Sequence, residues 1–361
     1  MMSRAVHFNG PETKLEIAEV APPPLREGEI LVRVLACTLC RSDLHTHAGR
    51  RHGPTPSILG HEIVGRIEAF GPGASTLDLA GEPAVVGDRI TWSIVVGCGD
   101  CFFCARDLPQ KCVRLYKYGH EAVIASQPLG GGLADHIVLV PNTAWLRLPS
   151  GIPTSVAALA NCAGATAASA LRAAGSSGGQ RILVLGAGVL GVFACAMAKS
   201  AGAASVVVVD PQETCRERAL AFGADAAFDA KQDNLVAALT EATDGLGFDV
   251  VLELAGVTPS VATALAAVRI GGTAILVGSV AHCEPLPVDP EQIVRRMITL
   301  RGVHNYHPRD LQAAVAFLAG PGGRFPFNSL VVESYPLGQV EAAFRSAHAH
   351  PGERVCVNCE E

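Results

Sequence analysis

The side chains best suited to chemistry lie in two short stretches near the start of this sequence. They are Cys40-Arg41-Ser42-Asp43-Leu44-His45 and Gly60-His61-Glu62. A thiolate and an imidazole are preferred ligands of zinc. The hydroxyl, second imidazole and carboxylates beside them could orient those ligands and move a proton. A lone cysteine is usually a small buried residue, but this combination predicts a metal site with acid–base chemistry next to it.

A second group of thiols predicts a closed metal site. It consists of Cys98, Cys101, Cys104 and Cys112. Four thiolates at this spacing fit a tetrahedral zinc with no open position, a site that stabilises a small lobe lacking its own core. An iron–sulfur cluster is the first alternative, but its fourth cysteine follows after three residues and precedes a proline; here Val113 follows a longer gap. A nucleic-acid-binding zinc ribbon is the second, although Asp100 and Asp107 dilute the basic residues of the lobe.

A glycine-rich turn in the middle of the chain predicts a dinucleotide site. The apolar run from Arg181 leads into Gly186, Gly188 and Gly191, and a helical pattern follows through Lys199. Glycines between a buried strand and a helix allow the backbone to approach a pyrophosphate. The next strand ends at Asp210, where an acid would bind the adenosine ribose and repel a 2′-phosphate. These residues favour NAD over NADP, although Arg216 and Arg218 lie nearby.

The elements that must position these residues follow two patterns. Residues 4–8, 15–20, 29–34 and 63–70 alternate apolar and polar side chains, which predicts antiparallel strands. Strands followed by glycine at residues 249–254 and 273–277 (the latter followed by Gly278) continue the βα pattern and predict a doubly wound sheet. From about residue 303 the first pattern returns, with a helix at 310–318 and a strand at 352–357.

Bulk composition narrows the class of protein. A chain of 361 residues with 49% hydrophobic content can form two domains with large cores. A net charge of −6 argues against a nucleic-acid partner. The uncharged run 182–198 contains three glycines and is better explained as a buried strand, turn and helix than as a membrane span. No secretory signal follows Met1, and twelve cysteines without one indicate a reducing, cytoplasmic compartment.

With these motifs in this order, the sequence resembles the zinc-dependent alcohol dehydrogenases of the medium-chain dehydrogenase/reductase family along essentially its whole length. The resemblance implies an α/β protein with a GroES-like β-rich catalytic domain at 1–163 and 304–361, including a structural zinc lobe at 96–114. A Rossmann domain with a doubly wound parallel sheet at 164–303 would bind NAD.

The resemblance also implies the roles of individual residues. Two zinc ions are expected in each chain: a catalytic one bound by Cys40, His61 and Cys162, with one open position, and a structural one bound by Cys98, Cys101, Cys104 and Cys112. Asp43 would steady the ligands, and Glu62 would lie beside the catalytic zinc. Ser42 and His45 would carry the alcohol proton towards solvent. Cofactor binding would fall to Arg41, Gly186, Gly188, Gly191, Asp210, Gly278 and Arg354.

The implied reaction interconverts an alcohol and an aldehyde or ketone by hydride transfer, in a homodimer or homotetramer. A zinc-free, NADPH-using enone or quinone reductase is one alternative, but it should lack the ligands at positions 40, 61 and 162. A non-catalytic protein that binds metal or nucleic acid is another, and it would have no need of Ser42 and His45 beside an open metal site.

The substrate is suggested by a basic loop. Arg50, Arg51 and His52 make a local positive field, and His120 lies in a second segment that returns towards the catalytic zinc in the family. Such a field favours an anionic alcohol. The stretch 40–51 also resembles a subgroup associated with phosphonate catabolism, which points to a hydroxyalkylphosphonate. A neutral polyol or simple alcohol, with a merely solvated basic loop, is the alternative.

Overall fold

The computed structural model describes residues 2–11, 13–175, 177–280 and 283–359. The first part of the chain contains β1 (Ser3–His7), β2 (Glu16–Val20), β3 (Ile30–Thr38), α1 (Arg41–His47), β4 (Glu62–Phe70), β5 (Arg89–Trp92), β6 (Val95–Val96), β7 (Tyr116–Lys117), β8 (His136–Leu139), β9 (Trp145–Arg147) and α2 (Thr154–Ala158). The middle contains α3 (Ala163–Ala174), β10 (Arg181–Leu185), α4 (Val189–Ser200), β11 (Ser205–Asp210), α5 (Glu213–Ala221), β12 (Ala226–Asp229), α6 (Leu235–Glu241), β13 (Phe248–Glu253), α7 (Thr258–Ala267), β14 (Val268–Leu276), α8 (Pro290–Arg295) and β15 (Thr299–Gly302). The last part contains α9 (Pro308–Ala319), β16 (Val331–Pro336), α10 (Val340–Ala349) and β17 (Arg354–Asn358). Short 3-10 helices lie at Cys104–Arg106, Pro109–Lys111, Leu159–Asn161, Pro321–Arg324, Phe327–Leu330 and Leu337–Gln339.

The chain forms two compact units. The first takes the residues up to 165, 307–319 and those from 327 onward, and the second takes 166–306 and 320–326. The sequence prediction places 320–326 with the first unit, whereas these residues group with the second unit by their contacts. Arg324 donates to Ser200 Oγ over 2.9 Å, and Phe325 stacks on Phe222, so this segment packs on the helices of the second unit.

The first unit is built on a mixed sheet of seven strands. Its order is β16-β17-β3-β4-β5-β9, with β8 added against β3, and all pairs except β16 with β17 are antiparallel. The strands β1 and β2 form a separate antiparallel pair. The predicted β-rich domain is confirmed. Its core contains fully buried large side chains such as Trp92, Tyr118 and Phe344, which make the sheet a rigid support for the loops at its edge.

Strand register in this sheet brings distant residues to one place. Thr38 at the end of β3 pairs with Glu62 at the start of β4 and with Cys356 of β17. The chain then enters α1 directly after β3. The helix start, the start of β4 and the start of β17 therefore meet at one end of the sheet, which is where the predicted metal ligands Cys40 and His61 lie.

The second unit contains six parallel strands in the order β12-β11-β10-β13-β14-β15. This is the strand order of the doubly wound dinucleotide-binding fold, and the prediction of such a domain is confirmed. The strand β10 and the helix α4 are almost wholly buried, which explains the uncharged run that crosses both. The order of strands reverses between β10 and β13, so the carboxyl ends of these strands form the crevice where such sheets bind ligands.

No single helix in the described part of the chain is long and apolar enough to cross a bilayer. The bent pair formed by 154–161 and 163–174 reaches the required length and apolar composition only when its two parts are taken together.

Candidate active site and metal centres

One buried carboxylate organises the predicted metal ligands. Asp43, in the first turn of α1, accepts the backbone N–H of Cys40 over 2.9 Å and that of Gly60 over 3.2 Å. Its Oδ1 also lies 3.2 Å from Nδ1 of His61. Asp43 is fully buried. A single side chain therefore joins the start of α1 to the segment entering β4, and it fixes both the backbone of Cys40 and the ring of His61.

The predicted catalytic ligands converge. The ligand atoms of Cys40, His61, Glu62 and Cys162 all lie within 4.8 Å of one another. Cys162 follows the short helix Leu159–Asn161, and the side chain of Asn161 donates to the carbonyl of Ile63 on β4 over 3.5 Å. Two sulfurs and one imidazole nitrogen are the donor set of a catalytic zinc that keeps one position open. The residues present fit that metal.

The electrostatics of His61 suit a cationic partner. Burial alone would lower the pKa of His61, but the charge of Asp43 and its hydrogen bond raise it to about 10. Asp43 thus stabilises positive charge on this ring, whether a proton or a metal ion supplies it. Because Nδ1 faces Asp43, Nε2 is the nitrogen that points towards Ser42 Oγ, at 3.3 Å, and it is the atom left for a metal.

The two thiols share one hydrogen bond. The hydrogen bond from Cys162 lowers the pKa of Cys40 well below its ordinary value, although burial opposes this, and Arg354 adds to the effect. The same hydrogen bond, together with burial, raises the pKa of Cys162. Cys40 is therefore the more readily ionised of the two, and a thiolate is the form that binds a metal.

Glu62 and Arg354 form a buried ion pair beside these ligands. Arg354 donates through Nε and Nη2 to the two oxygens of Glu62 over 2.8 and 2.9 Å, and Nη2 lies 3.5 Å from Cys40 Sγ. Thr38 Oγ1 donates to the same carboxylate over 2.6 Å. Separate roles were predicted for Glu62 and Arg354, but their pairing was not predicted. The structure places Arg354 against Glu62 and Cys40.

The predicted relay residues lie on one side of α1. Ser42 Oγ is 3.3 Å from Nε2 of His61. His45, one turn further on, is partly buried. Burial, followed by the charges of Arg50 and Arg41, lowers the pKa of His45. Ser42 thus lies at the metal site, and His45 is a partly buried base one turn further along α1 whose neutral form is favoured.

The basic loop divides into two kinds of residue. The N–H groups of Arg50 and Arg51 both donate to the carbonyl of His45, over 2.9 and 3.1 Å, which holds the loop on α1. Arg50 and His52 are exposed, whereas Arg51 is partly buried. Among the predicted substrate residues of this loop, Arg51 is the one whose surroundings suit a binding role.

A second segment lies against the metal site. The ring of His120 is 5.0 Å from the ring of His61. Burial, and then the charge of His61, lowers the pKa of His120 well below its ordinary value. Lys117 precedes it in the same segment, and burial and the charge of Arg51 lower the pKa of Lys117 to about 8. Lys117 was not among the predicted site residues, although it lies only three positions before His120 in the sequence.

The four-cysteine lobe has the geometry of a closed zinc site. The sulfurs of Cys112 and Cys98 are 3.4 Å apart, those of Cys101 and Cys104 are 3.5 Å apart, and those of Cys101 and Cys112 are 3.8 Å apart. A zinc–sulfur bond of about 2.3 Å in a tetrahedron gives sulfur separations of roughly 3.8 Å. A disulfide would need about 2.05 Å. Backbone N–H groups of Cys98 and Arg114 also donate to the Cys112 sulfur, so these residues fit a structural zinc.

The predicted dinucleotide residues form a tight turn in the second unit. A Cβ on Gly191 would lie 2.0 Å from the carbonyl oxygen of Gly186, so only glycine permits this approach of helix and strand. Gly188 precedes α4. Gly278 follows β14 and donates its N–H to the carbonyl of Glu253. The turn thus has the close backbone contacts that the glycine pattern predicted.

Asp210 supports this turn directly. It ends β11 and is nearly buried. Its carboxylate accepts the N–H of Ala187, within the turn, and that of Gln212, each over 2.8 Å. Arg216, a possible phosphate-binding residue, donates to the carbonyl of Asp210 and lies 3.6 Å from Asp229. The carboxylate of Asp210 therefore lies beside the glycine turn. The guanidinium of Arg216 is already close to the carboxylate of Asp229. Arg41, the remaining predicted cofactor residue, is exposed at the first position of α1.

The remaining cysteines are mostly core residues. All twelve cysteines are thiols within the described part of the chain. Five of the six without a predicted role are buried and one is partly buried: Cys37, Cys195, Cys215, Cys356, Cys359 and, partly, Cys283. Burial raises the pKa of Cys37 well above its ordinary value, which makes it unreactive.

Comparison with known proteins agrees with this geometry. Residues 26–150 match the alcohol dehydrogenase GroES-like domain, and residues 189–320 match the zinc-binding dehydrogenase domain. A Mycobacterium tuberculosis protein described as "Probable alcohol dehydrogenase" is 33% identical over 335 residues, covering 91% of this chain and 89% of the relative. The chain belongs to the zinc-binding alcohol dehydrogenase family.

Two further relatives of this dehydrogenase extend the comparison. The L-threonine 3-dehydrogenase of Pyrococcus furiosus is 28% identical over 350 residues, which is 96% of this chain and 95% of that protein. The crystal structure of an alcohol dehydrogenase from Thermotoga maritima superposes with a TM-score of 0.92 at 27% identity, covering 99% of both chains. The chain is therefore an oxidoreductase of the alcohol dehydrogenase type, as the sequence motifs predicted.

Proposed function

We propose that this dehydrogenase uses two zinc ions per chain and NAD(H) to interconvert an alcohol with an aldehyde or ketone. The proposal rests on one observation. The ligand atoms of Cys40, His61 and Cys162 lie close together, and Asp43 contacts the ring of His61 from the other side. A zinc-free reductase would not be expected to bring three metal ligands together in this way.

The chain's own residues define the reaction site. A zinc held by Cys40, His61 and Cys162 would supply Lewis acidity towards the alcohol oxygen. Asp43 holds the His61 ring in place, and Arg354 keeps Glu62 oriented and supports the charge of Cys40. These supports are buried, so the ligands are positioned without large rearrangement.

Ser42 is the group suited to receive the alcohol proton. Its Oγ is 3.3 Å from Nε2 of His61, so a hydroxyl placed at the metal site comes within its reach. His45 lies one turn away on the same helix face and is partly exposed. His45 would release the proton to water, and its neutral form is the one able to accept it.

The first test is zinc dependence. We expect two zinc ions per purified chain, with the ion at Cys40, His61 and Cys162 leaving first during titration with a chelator. That site keeps one position open, whereas the four-cysteine site is closed and coupled to folding. Zinc content, NAD-linked alcohol oxidation and circular dichroism are followed together. Loss of fold before loss of activity would contradict the assignment of the two sites.

Cofactor choice is the second test. The nicotinamide cofactor would supply the hydride acceptor. We expect Asp210→Asn to weaken the preference for NAD over NADP by at least about tenfold, because it removes the charge that repels a 2′-phosphate. The amide oxygen can still accept one backbone N–H. Asp233→Asn, at an exposed acid of the same unit, is the control. An unchanged ratio of kcat/KM for the two cofactors would remove Asp210 from this role.

The pH dependence of oxidation tests His45. Because its pKa is lowered by burial and by Arg50, the rate should fall only below about pH 6.5, as His45 becomes protonated. His45→Gln should slow oxidation and flatten this limb. Arg50→Ala should shift the limb to higher pH, since the arginine charge holds the pKa down. A profile that is the same in all three proteins would exclude His45 from the proton path.

The substrate is proposed to be an alcohol that carries a negative charge. Arg51 supports this, since it is partly buried and its charge acts on both Lys117 and His120. Threonine, named for the Pyrococcus relative, is itself an alcohol with a carboxylate. A neutral alcohol or polyol is the second candidate, because a Bacillus subtilis relative, 29% identical over 355 residues, is named sorbitol dehydrogenase.

We also propose a symmetric homo-oligomer in a reducing, cytoplasmic compartment. The edge strand β15 is exposed along its length, and Ile270, Val294 and Met297 of the same unit expose large apolar side chains. Exposed strand edges and apolar patches favour association with a second copy. The twelve thiols suit a reducing compartment.

A further inference from the structure

A buried carboxylate ends the strand β13 in the second unit. Glu253 is the last residue of this strand, which lies between β10 and β14, and its side chain is fully buried. Its Oε1 accepts the N–H of Gly256 over 2.7 Å, and its Oε2 lies 3.5 Å from Oγ of Ser279. An apolar side chain would fill this space at less cost than a buried acid. The hydrogen bonds of Glu253 therefore indicate a specific task.

The backbone of Glu253 joins the same two turns as its side chain. The carbonyl oxygen accepts the N–H groups of Val277 and Gly278, each over 2.9 Å. The side chain thus holds the turn after β13 through Gly256, and the main chain holds the turn after β14 through Gly278. Glu253 fixes these two turns relative to each other.

The turns at this end of the sheet are in direct contact. Gly256 has a φ of +75°, and a Cβ there would lie 2.3 Å from the carbonyl oxygen of Gly278. A Cβ on Gly186, in the turn after β10, would lie 3.0 Å from the backbone nitrogen of Ala255. The turns after β10, β13 and β14 therefore form one continuous surface at the carboxyl ends of the strands. The turn that Glu253 holds through its side chain is the middle one.

The strand order relates this surface to the two halves of a dinucleotide. Asp210, the acid expected at the adenosine ribose, ends β11, and β13 lies on the opposite side of β10. A dinucleotide lies across the switch point of such a sheet, with one mononucleotide on each half and the pyrophosphate at the first glycine turn. The nicotinamide half would therefore lie over the turns after β13 and β14, which Glu253 holds together.

We propose that Glu253 is a positioning residue for the nicotinamide half of the dinucleotide, because it keeps the turns after β13 and β14 in place before the cofactor binds. The inference rests on the proposed function, since it requires a nicotinamide dinucleotide in this crevice. Loss of the side-chain acceptors should weaken binding of the whole dinucleotide but not of its adenosine half. Glutamine keeps an acceptor for Gly256 and a donor for Ser279, so it should replace Glu253 in this role.

The test measures ligand affinity by calorimetry in the zinc-loaded, full-length protein, with NAD and ADP as the two probes. The variants are Glu253→Leu, Glu253→Gln and Ser279→Ala. We expect Glu253→Leu to weaken NAD binding by at least about tenfold, because it leaves the N–H of Gly256 without its partner, and to change ADP binding by less than about twofold. Glu253→Gln should restore most of the NAD affinity.

A matched control lies at the other end of the same strand. Asp249 is the second residue of β13, and it accepts the backbone N–H of Arg181 over 2.7 Å and Nε of Arg269 over 2.6 Å. Asp249→Leu should lower stability, measured by denaturant unfolding, but leave the affinities for NAD and ADP unchanged. Ser279→Ala, at a partly exposed position, serves if Glu253→Leu does not fold. It should lower NAD affinity by about threefold with ADP affinity unchanged.

The outcomes separate this inference from the proposed function. If the parent binds NAD and oxidises alcohol, but the variants at positions 253 and 279 bind both probes like the parent or lose both equally, the inference is overturned and the proposed function stands. If the parent binds NADP in place of NAD, the proposed cofactor choice fails, and a selective loss of NADP affinity in Glu253→Leu still supports the inference. A parent that binds neither dinucleotide overturns both.

Discussion

Asp43→Asn should weaken zinc binding at the catalytic site by about 10- to 100-fold, a typical effect of removing a group that orients a metal ligand. The change keeps the size of the side chain but removes the charge behind the His61 ring. It also presents an amide where the carboxylate accepts the N–H groups of Cys40 and Gly60. Competition with a chelator of known affinity measures the loss, and alcohol oxidation at limiting zinc should fall in parallel.

A matched control separates this effect from the general cost of altering a buried acid. Asp310, at the start of α9, is also buried and accepts the backbone N–H of His307. Asp310→Asn should affect stability but leave zinc affinity at the catalytic site unchanged. Equal zinc affinity in Asp43→Asn and the parent would show that Asp43 serves only the fold.

The second large effect is expected at the ion pair of Glu62 and Arg354. Arg354→Leu should reduce the free energy of unfolding of the first unit by about 3–5 kcal/mol, because it leaves a carboxylate buried without its partner. Burial already raises the pKa of Glu62, and Arg354 opposes that rise, so the variant should also take up a proton more readily at this site. Denaturant unfolding of the zinc-loaded protein measures the change.

Comparing the unfolding free energy of the double variant Glu62→Gln with Arg354→Leu with those of the two single variants gives the coupling between the two residues. The double variant should recover part of the stability, since the uncompensated charge is gone. The exposed pair Glu291 and Arg295 on α8 is the control, and breaking it should cost at most about 1 kcal/mol. If the double variant loses as much stability as the sum of the losses in Glu62→Gln and Arg354→Leu, the pair is not coupled in the folded protein.

The sequence predicted those parts of the molecule whose information is local. The alternation of apolar and polar side chains predicted β1, β2 and β4. The spacing of the glycines predicted the turn before α4. The four-cysteine site was also predictable, because all its ligands lie within residues 98–112. Such features need no knowledge of which strand lies beside which.

The catalytic site was harder to predict because its residues are far apart in the chain. From its neighbours in the sequence alone, Cys162 would be interpreted as a core cysteine. Only the family resemblance linked it to Cys40 and His61. The pairing of Glu62 with Arg354 depends on β17 lying beside β3, a register that no local pattern encodes. Lys117 was not predicted as a site residue, because only the packing of Gly119 against Gly60 brings its segment to the site.

The three contacts of Asp43 also bear on how the site can be studied. They join α1, the residue before His61 and the His61 ring through protein atoms alone. Protein atoms alone therefore fix the positions of these ligands in the folded chain. If the proposed catalytic zinc binds here, we expect that cobalt, a spectroscopically visible ion, can replace it, and the cobalt spectrum would report on the open coordination position.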